Sequence, residues 1–198
     1  MGTILAVYTT NSGSSGKVAE TIAEELGKDG ARVDVRRIED APDPGDYDAV
    51  IVGSPMILGW HRAATTFVRK HQHVLSQRPV AYFFTAMSLT KLAGTHLGAV
   101  AIYQDPRLAK PPQDEHKLSF KERFTTVAAY LEPVLKQAPQ ITPLSVAFFK
   151  GKLDYTKLNI FQKLFVMLVF QAQPGDFRDW DAIRAWAASL RPALNLNP

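Results

Sequence analysis

Apolar residues along this chain fall into two patterns: short runs rich in β-branched residues, and longer stretches with an apolar position every third or fourth residue. Thr3–Tyr8 (TILAVY) is a run of the first kind and ends in small polar residues, which predicts a buried strand entering a loop. After the loop, Val18, Ile22, Ala23 and Leu26 recur at helical spacing, Glu20, Glu24 and Glu25 lie on other faces, and Asp29-Gly30 supplies a stop. Val33, Val35 and Ile38 alternate with charged residues, as in a strand near a sheet edge, and a Pro/Gly break precedes the apolar run 49–52. Phe67, Val68, His71 and Leu75 predict a second helix, and residues 80–84 a fourth strand. Residues 119–137 (Phe120, Phe124, Val127, Leu131, Leu135) predict another helix, 145–149 a fifth strand, and Trp180–Leu190 a terminal amphipathic helix. Strands alternating with helices through short connections predict an α/β fold, a doubly wound five-stranded parallel sheet with helices on both faces, formed by a single domain over residues 1–198.

Two stretches stand outside that alternation. From 86 to 117 no period is sustained, which predicts a long loop, functional or disordered, placed just after a strand end. Residues 157–171 predict an additional apolar helix, its core running from Leu158 through Ile160, Phe161, Leu164, Phe165, Val166, Met167, Leu168 and Val169 to Phe170. That run is too short to span a bilayer, so packing in the core competes with interfacial membrane contact or contact with an apolar ligand.

Composition narrows the chemistry. The 198 residues are 46% hydrophobic and 21% charged and include no cysteine, which removes disulfides, thiol nucleophiles and thiolate metal sites. No signal-peptide pattern opens the chain, so a cytoplasmic protein is expected. The net charge of +4 permits attraction to acidic surfaces, but the cations are scattered and no basic run is interleaved with aromatics, so no specific nucleic-acid binding is expected. His71, His73, His96 and His116 show no ligand spacing with carboxylates, and no metal site is expected.

The richest chemistry lies in Thr9, Thr10, Asn11, Ser12, Gly13, Ser14 and Ser15, between the first strand and the first helix. Backbone N–H groups at a helix N-terminus hold an anion, helped by hydroxyls and by the helix dipole, and a glycine supplies the turn. Lys17 adds weak attraction. A plain serine-capped turn uses the same residues, so the loop is weighed against rival motifs. A phosphate loop of the Walker type needs glycine where Asn11 stands and Ser or Thr where Val18 stands. A dinucleotide fingerprint lacks its first glycine before Gly13-x-x-Gly16, and a receiver-type acceptor would need an acid where strand three reads Ile51-Val52-Gly53-Ser54.

The strand, hydroxyl-rich loop and helix over residues 4–26 resemble the FMN-phosphate motif of flavodoxins, with Gly13-Ser14-Ser15 where that family has glycine followed by an amide and a hydroxyl. The wider pattern resembles the flavodoxin-like, menaquinone-dependent protoporphyrinogen oxidase branch. It rests on Gly53-Ser54 followed by Gly59-Trp60-His61, on Ala147-Phe148-Phe149-Lys150-Gly151-Lys152-Leu153 before an apolar helix, and on Asp179-Trp180 opening the last helix. Residues 86–117 and 171–178 depart most from the branch.

The resemblance implies a flavodoxin-like sheet of order 2-1-3-4-5, FMN as cofactor, and a ligand outside the strand ends where loops after strands one, three and four converge. The ring would then meet Ser54, Pro55, Met56, Ile57, Leu58, Gly59 and Trp60 after strand three, and Thr85, Ala86, Met87, Ser88 and Leu89 after strand four. Trp60 is the candidate for contact with the flavin, and His61 either donates a proton or starts the second helix. No side chain is assigned a catalytic role, because flavin carries the electrons. The implied activity is FMN-dependent oxidation of protoporphyrinogen with a quinone as acceptor, at a membrane surface reached through residues 158–170. The alternative is an electron carrier that docks to redox protein partners and has no small-molecule substrate; carriers of that kind are usually acidic, and this chain is basic.

Overall fold

The computed structural model describes residues 2–11, 13–28, 30–56, 59–92, 94–114, 117–154, 156, 160 and 174–194. Five strands build the body of the sheet: β1 (Thr3–Tyr8), β2 (Arg32–Arg37), β3 (Ala49–Pro55), β4 (Val80–Ala86) and, after a long excursion, β9 (Ser145–Lys150). They pair in parallel in the order β2-β1-β3-β4-β9, which is the predicted 2-1-3-4-5 arrangement. β3 and β4 are buried along their whole length, as continuous apolar runs covered on both faces must be. β2 lies at the edge and keeps Arg32, Arg36 and Arg37 exposed, a charge pattern that discourages further strand pairing.

Alternate residues of each strand point to opposite faces, and each face has its own core. Leu5, Val7, Val50, Val52, Tyr82, Phe84, Val146 and Phe148 meet α2 (Arg62–Lys70), α3 (Gln72–Leu75) and α5 (Val127–Gln137) through Phe67, Val68, Leu75, Leu131 and Val134. On the other face Ile4, Ala6, Ile51, Phe83, Ala147 and Phe149 meet α1 (Ser14–Gly27) and the terminal helix α6 (Trp180–Leu190) through Val18, Ile22, Leu26, Ile183, Trp186 and Leu190. Trp186 is fully buried, and its indole N–H donates to Ser145 Oγ at 2.9 Å, tying α6 to β9. Glu25 does not lie on an outer face as the helical spacing suggested. It is buried, and its carboxylate is held by Lys28 at 2.5 Å and Arg191 at 3.0 Å. The Lys28 hydrogen bond pulls the pKa of this carboxyl below the usual carboxylate value against the opposing effect of burial.

Residues 86–117 are not the irregular loop expected from the missing period. They carry β5 (Leu89–Thr90), β6 (His96–Leu97), β7 (Val100–Gln104) and β8 (Ala109–Lys110). β7 adds to the sheet in parallel beside β9, and β6 follows it antiparallel, so the full sheet is β2-β1-β3-β4-β9-β7-β6. Three of these strands have two residues each, too few to show an alternation in sequence. Asp105 secures the extension: fully buried at the end of β7, it accepts the Arg107 N–H at 2.7 Å and the Lys150 N–H at 2.9 Å.

The helix expected over 119–137 is two helices, α4 (Phe120–Phe124) and α5. β5 divides them, because the Thr125 carbonyl accepts the Thr90 N–H at 2.7 Å and the two threonine hydroxyls bond at 2.8 Å. Thr126 then caps α5 by accepting the Ala129 N–H. As a result Phe120 and Phe124 face solvent, 77% and 60% exposed, instead of the core. The apolar run 158–170 lies almost wholly outside the described residues. Among the described residues no helix is long and apolar enough to cross a membrane.

Candidate flavin site at the carboxyl end of the sheet

β1, β3 and β4 are parallel neighbours, so their carboxyl ends open on one edge of the molecule, and hydrogen bonds tie the residues that leave β1 and β3 to the ends of the neighbouring strands. The Thr9 N–H donates to the Gly53 carbonyl in β3 at 3.0 Å, the Met56 N–H to the Thr85 carbonyl in β4 at 2.9 Å, and the hydroxyls of Ser15 in α1 and Thr85 bond at 3.1 Å. Thr85 is thus the shared anchor of the α1 N-terminus and the start of the loop after β3.

Within the first loop Gly13 has φ +82°, a left-handed conformation that costs a side-chain-bearing residue energy, and it occupies the N-cap position of α1. The Gly13 N–H donates to Thr10 Oγ1 at 2.8 Å; that oxygen accepts, so the Thr10 O–H remains free to donate. Gly13 has no side chain to accept from the helix, and the first turn of α1 contains no acidic residue. The first N–H groups of a helix have no intrahelical partner, so this end presents donors and the positive end of the helix dipole to an anion. Thr9, Ser14 and Ser15 are buried, whereas Thr10 and Asn11 are half-buried and Gly13 is exposed. The hydroxyl of Ser15 is turned inward to Thr85, which leaves backbone N–H groups as the main donors of the loop. These residues fit a flavin phosphate. Ser12 lies outside the described residues.

Ser54 and Pro55, expected in the loop after strand three, are instead the last residues of β3, paired with Phe84 and Thr85; the Ser54 hydroxyl donates to the Pro55 carbonyl at 3.2 Å and accepts the His61 N–H at 3.3 Å, closing the base of the second loop. Ser54, Pro55 and Met56 are buried, Gly59 is exposed with φ +106°, and Ile57 and Leu58 lie outside the described residues. Trp60 is not an exposed loop tryptophan. Its ring packs on Tyr82 at 5.3 Å and Phe84 at 5.5 Å between centroids, and its indole N–H is buried without a hydrogen-bond partner. His61 is the N-cap of α2, with Nδ1 accepting the Ala63 N–H at 3.3 Å. Thr85 and Ala86, expected in the loop after strand four, are instead the buried last residues of β4, paired with Phe149 and Lys150; Met87 and Ser88 follow, half-buried, and the Ser88 carbonyl accepts the Tyr130 hydroxyl at 3.1 Å. Leu89 is directed into the core, so only its backbone faces the third loop's surroundings.

Two residues at this edge, Arg178 and Asp176, carry no local sequence signal, and a third, Lys150, stands out in sequence only as part of the motif 147–153. Arg178 comes from the segment before α6, yet its guanidinium donates to the Ser14 carbonyl at 3.2 Å. Asp176, in the short strand β11 (Gly175–Asp176), holds Arg178; β11 pairs with β10 (Lys152–Leu153) just past β9. Lys150 ends β9 opposite Ala86 and sets its ammonium 5.0 Å from the centre of the Phe177 ring.

A doubly wound sheet with an anion-ready loop at the β1/β3 switch point defines a flavodoxin-like protein. The chain belongs to the flavodoxin domain family, whose model matches residues 5–179, and FMN is the cofactor of that family. Among curated proteins it is similar to protoporphyrinogen IX dehydrogenase [quinone] of Leishmania major, 24% identical over 94% of this chain and 73% of the relative. The protein of the same name from Escherichia coli K12 is 21% identical, covering 94% of this chain and 93% of the relative. Among solved structures, a flavodoxin from the domain Archaea aligns with TM-score 0.53 at 12% identity, covering 98% of this chain and 99% of its own. A short-chain flavodoxin associated with a bacterial microcompartment aligns with TM-score 0.54 at 10% identity, with the same coverage. These two likenesses carry the fold.

Proposed function

We propose that this single-domain chain is an FMN-dependent oxidoreductase that takes electrons from an apolar reductant of the protoporphyrinogen class and passes them to a quinone. The phosphate of FMN lies on residues 9–15, and its ring lies between the loops 54–60 and 85–89. The observation that carries this reading is the α1 N-terminus, free of a capping side-chain hydrogen bond and of acids, set where hydrogen bonds tie it and the β1 loop to the carboxyl ends of β3 and β4. Electron transfer is the chemistry FMN supplies when bound. The chain's own residues hold the phosphate by N–H donors, shape the ring's surroundings with Met56, Trp60 and Met87, and fix those loops so that little reorganisation accompanies binding. The names of the curated relatives supply the substrate and acceptor classes.

A cytoplasmic protein peripheral to the membrane suits a quinone acceptor. The exposed pair Phe120 and Phe124, with rings 4.8 Å apart, supports apolar contact there; Lys117 and Arg123 lie close to the pair in sequence, and Lys91 directly follows β5, which is bonded to Thr125 at the end of the same helix, α4.

The test is the visible spectrum of the purified protein, followed by oxidation of protoporphyrinogen with menaquinone present and absent. Bound flavin with quinone-stimulated turnover is expected. Bound flavin without turnover would favour the electron carrier, and a colourless protein that takes up no FMN would overturn the reading.

A further inference from the structure

Arg178 is a nearly buried cation, its side chain 8% exposed, and every polar contact it makes serves to hold it still. Its Nε donates to Asp176 Oδ1 at 2.8 Å and its Nη2 to Asp176 Oδ2, a bidentate pair. The guanidinium face lies 4.4 Å from the centre of the Trp180 ring. The remaining nitrogen, Nη1, reaches 164 residues back along the chain to the carbonyl of Ser14.

That carbonyl belongs to the same peptide unit as the N–H of Ser15, in the first turn of α1. A peptide is planar, so a group that fixes its oxygen also fixes the direction of its N–H. A charged donor on the oxygen also polarises the unit and makes the N–H a stronger donor in turn. From this we infer that Arg178 is a positioning residue of the flavin-phosphate site, orienting and polarising the Ser14–Ser15 peptide so that its N–H donates to the phosphate. The inference rests on the reading of residues 9–15 as the phosphate loop. The charge of Arg178 is balanced by Asp176, so its effect passes through the peptide rather than through net attraction.

The residue also joins two parts of the chain. The Phe177 N–H donates to the Gly151 carbonyl at 3.3 Å, and the Gly151 N–H donates to the Ala86 carbonyl at 3.0 Å. The segment that carries Arg178 is therefore bonded, through Gly151, to the carboxyl end of β4 while Arg178 grips the start of α1, a brace from the ring side of the site to the phosphate side.

Riboflavin, which has the ring and lacks the phosphate, separates this role from a general structural one. In fluorescence titrations of the full-length apoprotein, Arg178→Ala is expected to weaken FMN about tenfold, the loss of one hydrogen bond to a charged group. Riboflavin affinity should stay within about twofold of the unaltered protein. Arg178→Lys keeps charge and bulk and covers the case in which the alanine variant fails to fold; it loses the bidentate pair and is expected to weaken FMN by a smaller factor with the same selectivity. FMN affinity unchanged in both variants, or FMN and riboflavin weakened equally, would overturn the inference. If the unaltered protein itself does not prefer FMN to riboflavin, the phosphate-loop reading fails, a result distinct from failure of the Arg178 variants alone.

Discussion

The proposed phosphate loop and the corner formed by β5, β8 and α4 both hang from the carboxyl side of the central strands, and they direct their groups in opposite ways. In the loop, side-chain hydroxyls turn inward or close the turn, Ser15 to Thr85 and Thr10 to Gly13, and the helix end faces outward. In the corner the backbone is satisfied internally, Thr90 to Thr125 and Lys91 to Lys110, and apolar side chains face outward. The first arrangement leaves backbone donors of the helix end outward; the second leaves aromatic rings outward on a short helix fixed by a capping box in which Ser119 and Glu122 exchange hydrogen bonds. Side chains used to close a turn free the backbone, whereas a backbone paired within itself leaves the side chains to face solvent.

The largest effect is expected where the extension is fastened to the sheet. Asp105→Ala leaves two N–H groups, of Arg107 and Lys150, without their acceptor. It should lower stability by about 2–4 kcal/mol in urea unfolding, with Asp105→Asn costing less. A loss below about 0.5 kcal/mol would show that the corner holds its place without this carboxylate.

A smaller effect should follow acidification at the Arg178 brace. The hydrogen bond from Arg178 comes first in holding the Asp176 carboxyl below its usual range; the charges of Arg178 and Lys152 add to it and partial burial opposes it. The folded pKa is lowered, so this contribution is full above the unfolded value of about 3.9 and is lost as pH falls through the folded value. The difference in melting temperature between the unaltered protein and Asp176→Asn should therefore be constant from about pH 8 to pH 5 and shrink below about pH 4. A difference that grows on acidification would contradict the brace.

The smallest effect on stability is expected at the exposed pair. Phe120→Ser with Phe124→Ser should change unfolding by less than about 0.5 kcal/mol, because neither ring is buried. Sedimentation with vesicles containing anionic lipid should nevertheless fall. Unchanged sedimentation would remove the membrane role from this corner.

Much of the sheet was legible in sequence. Thr3–Tyr8 and Trp180–Leu190 have the predicted bounds because an uninterrupted apolar run and a capped amphipathic stretch are local signals. β7 was missed although Val100 and Ile102 alternate, since strands of two residues on either side hid it in apparent irregularity. The break between α4 and α5 was invisible because it is made by Thr90, thirty-five residues away. At the candidate site, residues adjacent in sequence were found together, whereas Arg178 was not, its partner Ser14 being 164 residues distant. Such distant hydrogen bonds leave no periodicity behind.

The central claim is that the α1 N-terminus holds a flavin phosphate, and the direct measurement is the affinity of the apoprotein for FMN against riboflavin. Charge-assisted hydrogen bonds from the loop's backbone N–H groups to the phosphate predict tighter binding of FMN by about 100-fold or more. Equal affinity for the two flavins, or no affinity for either, would contradict it.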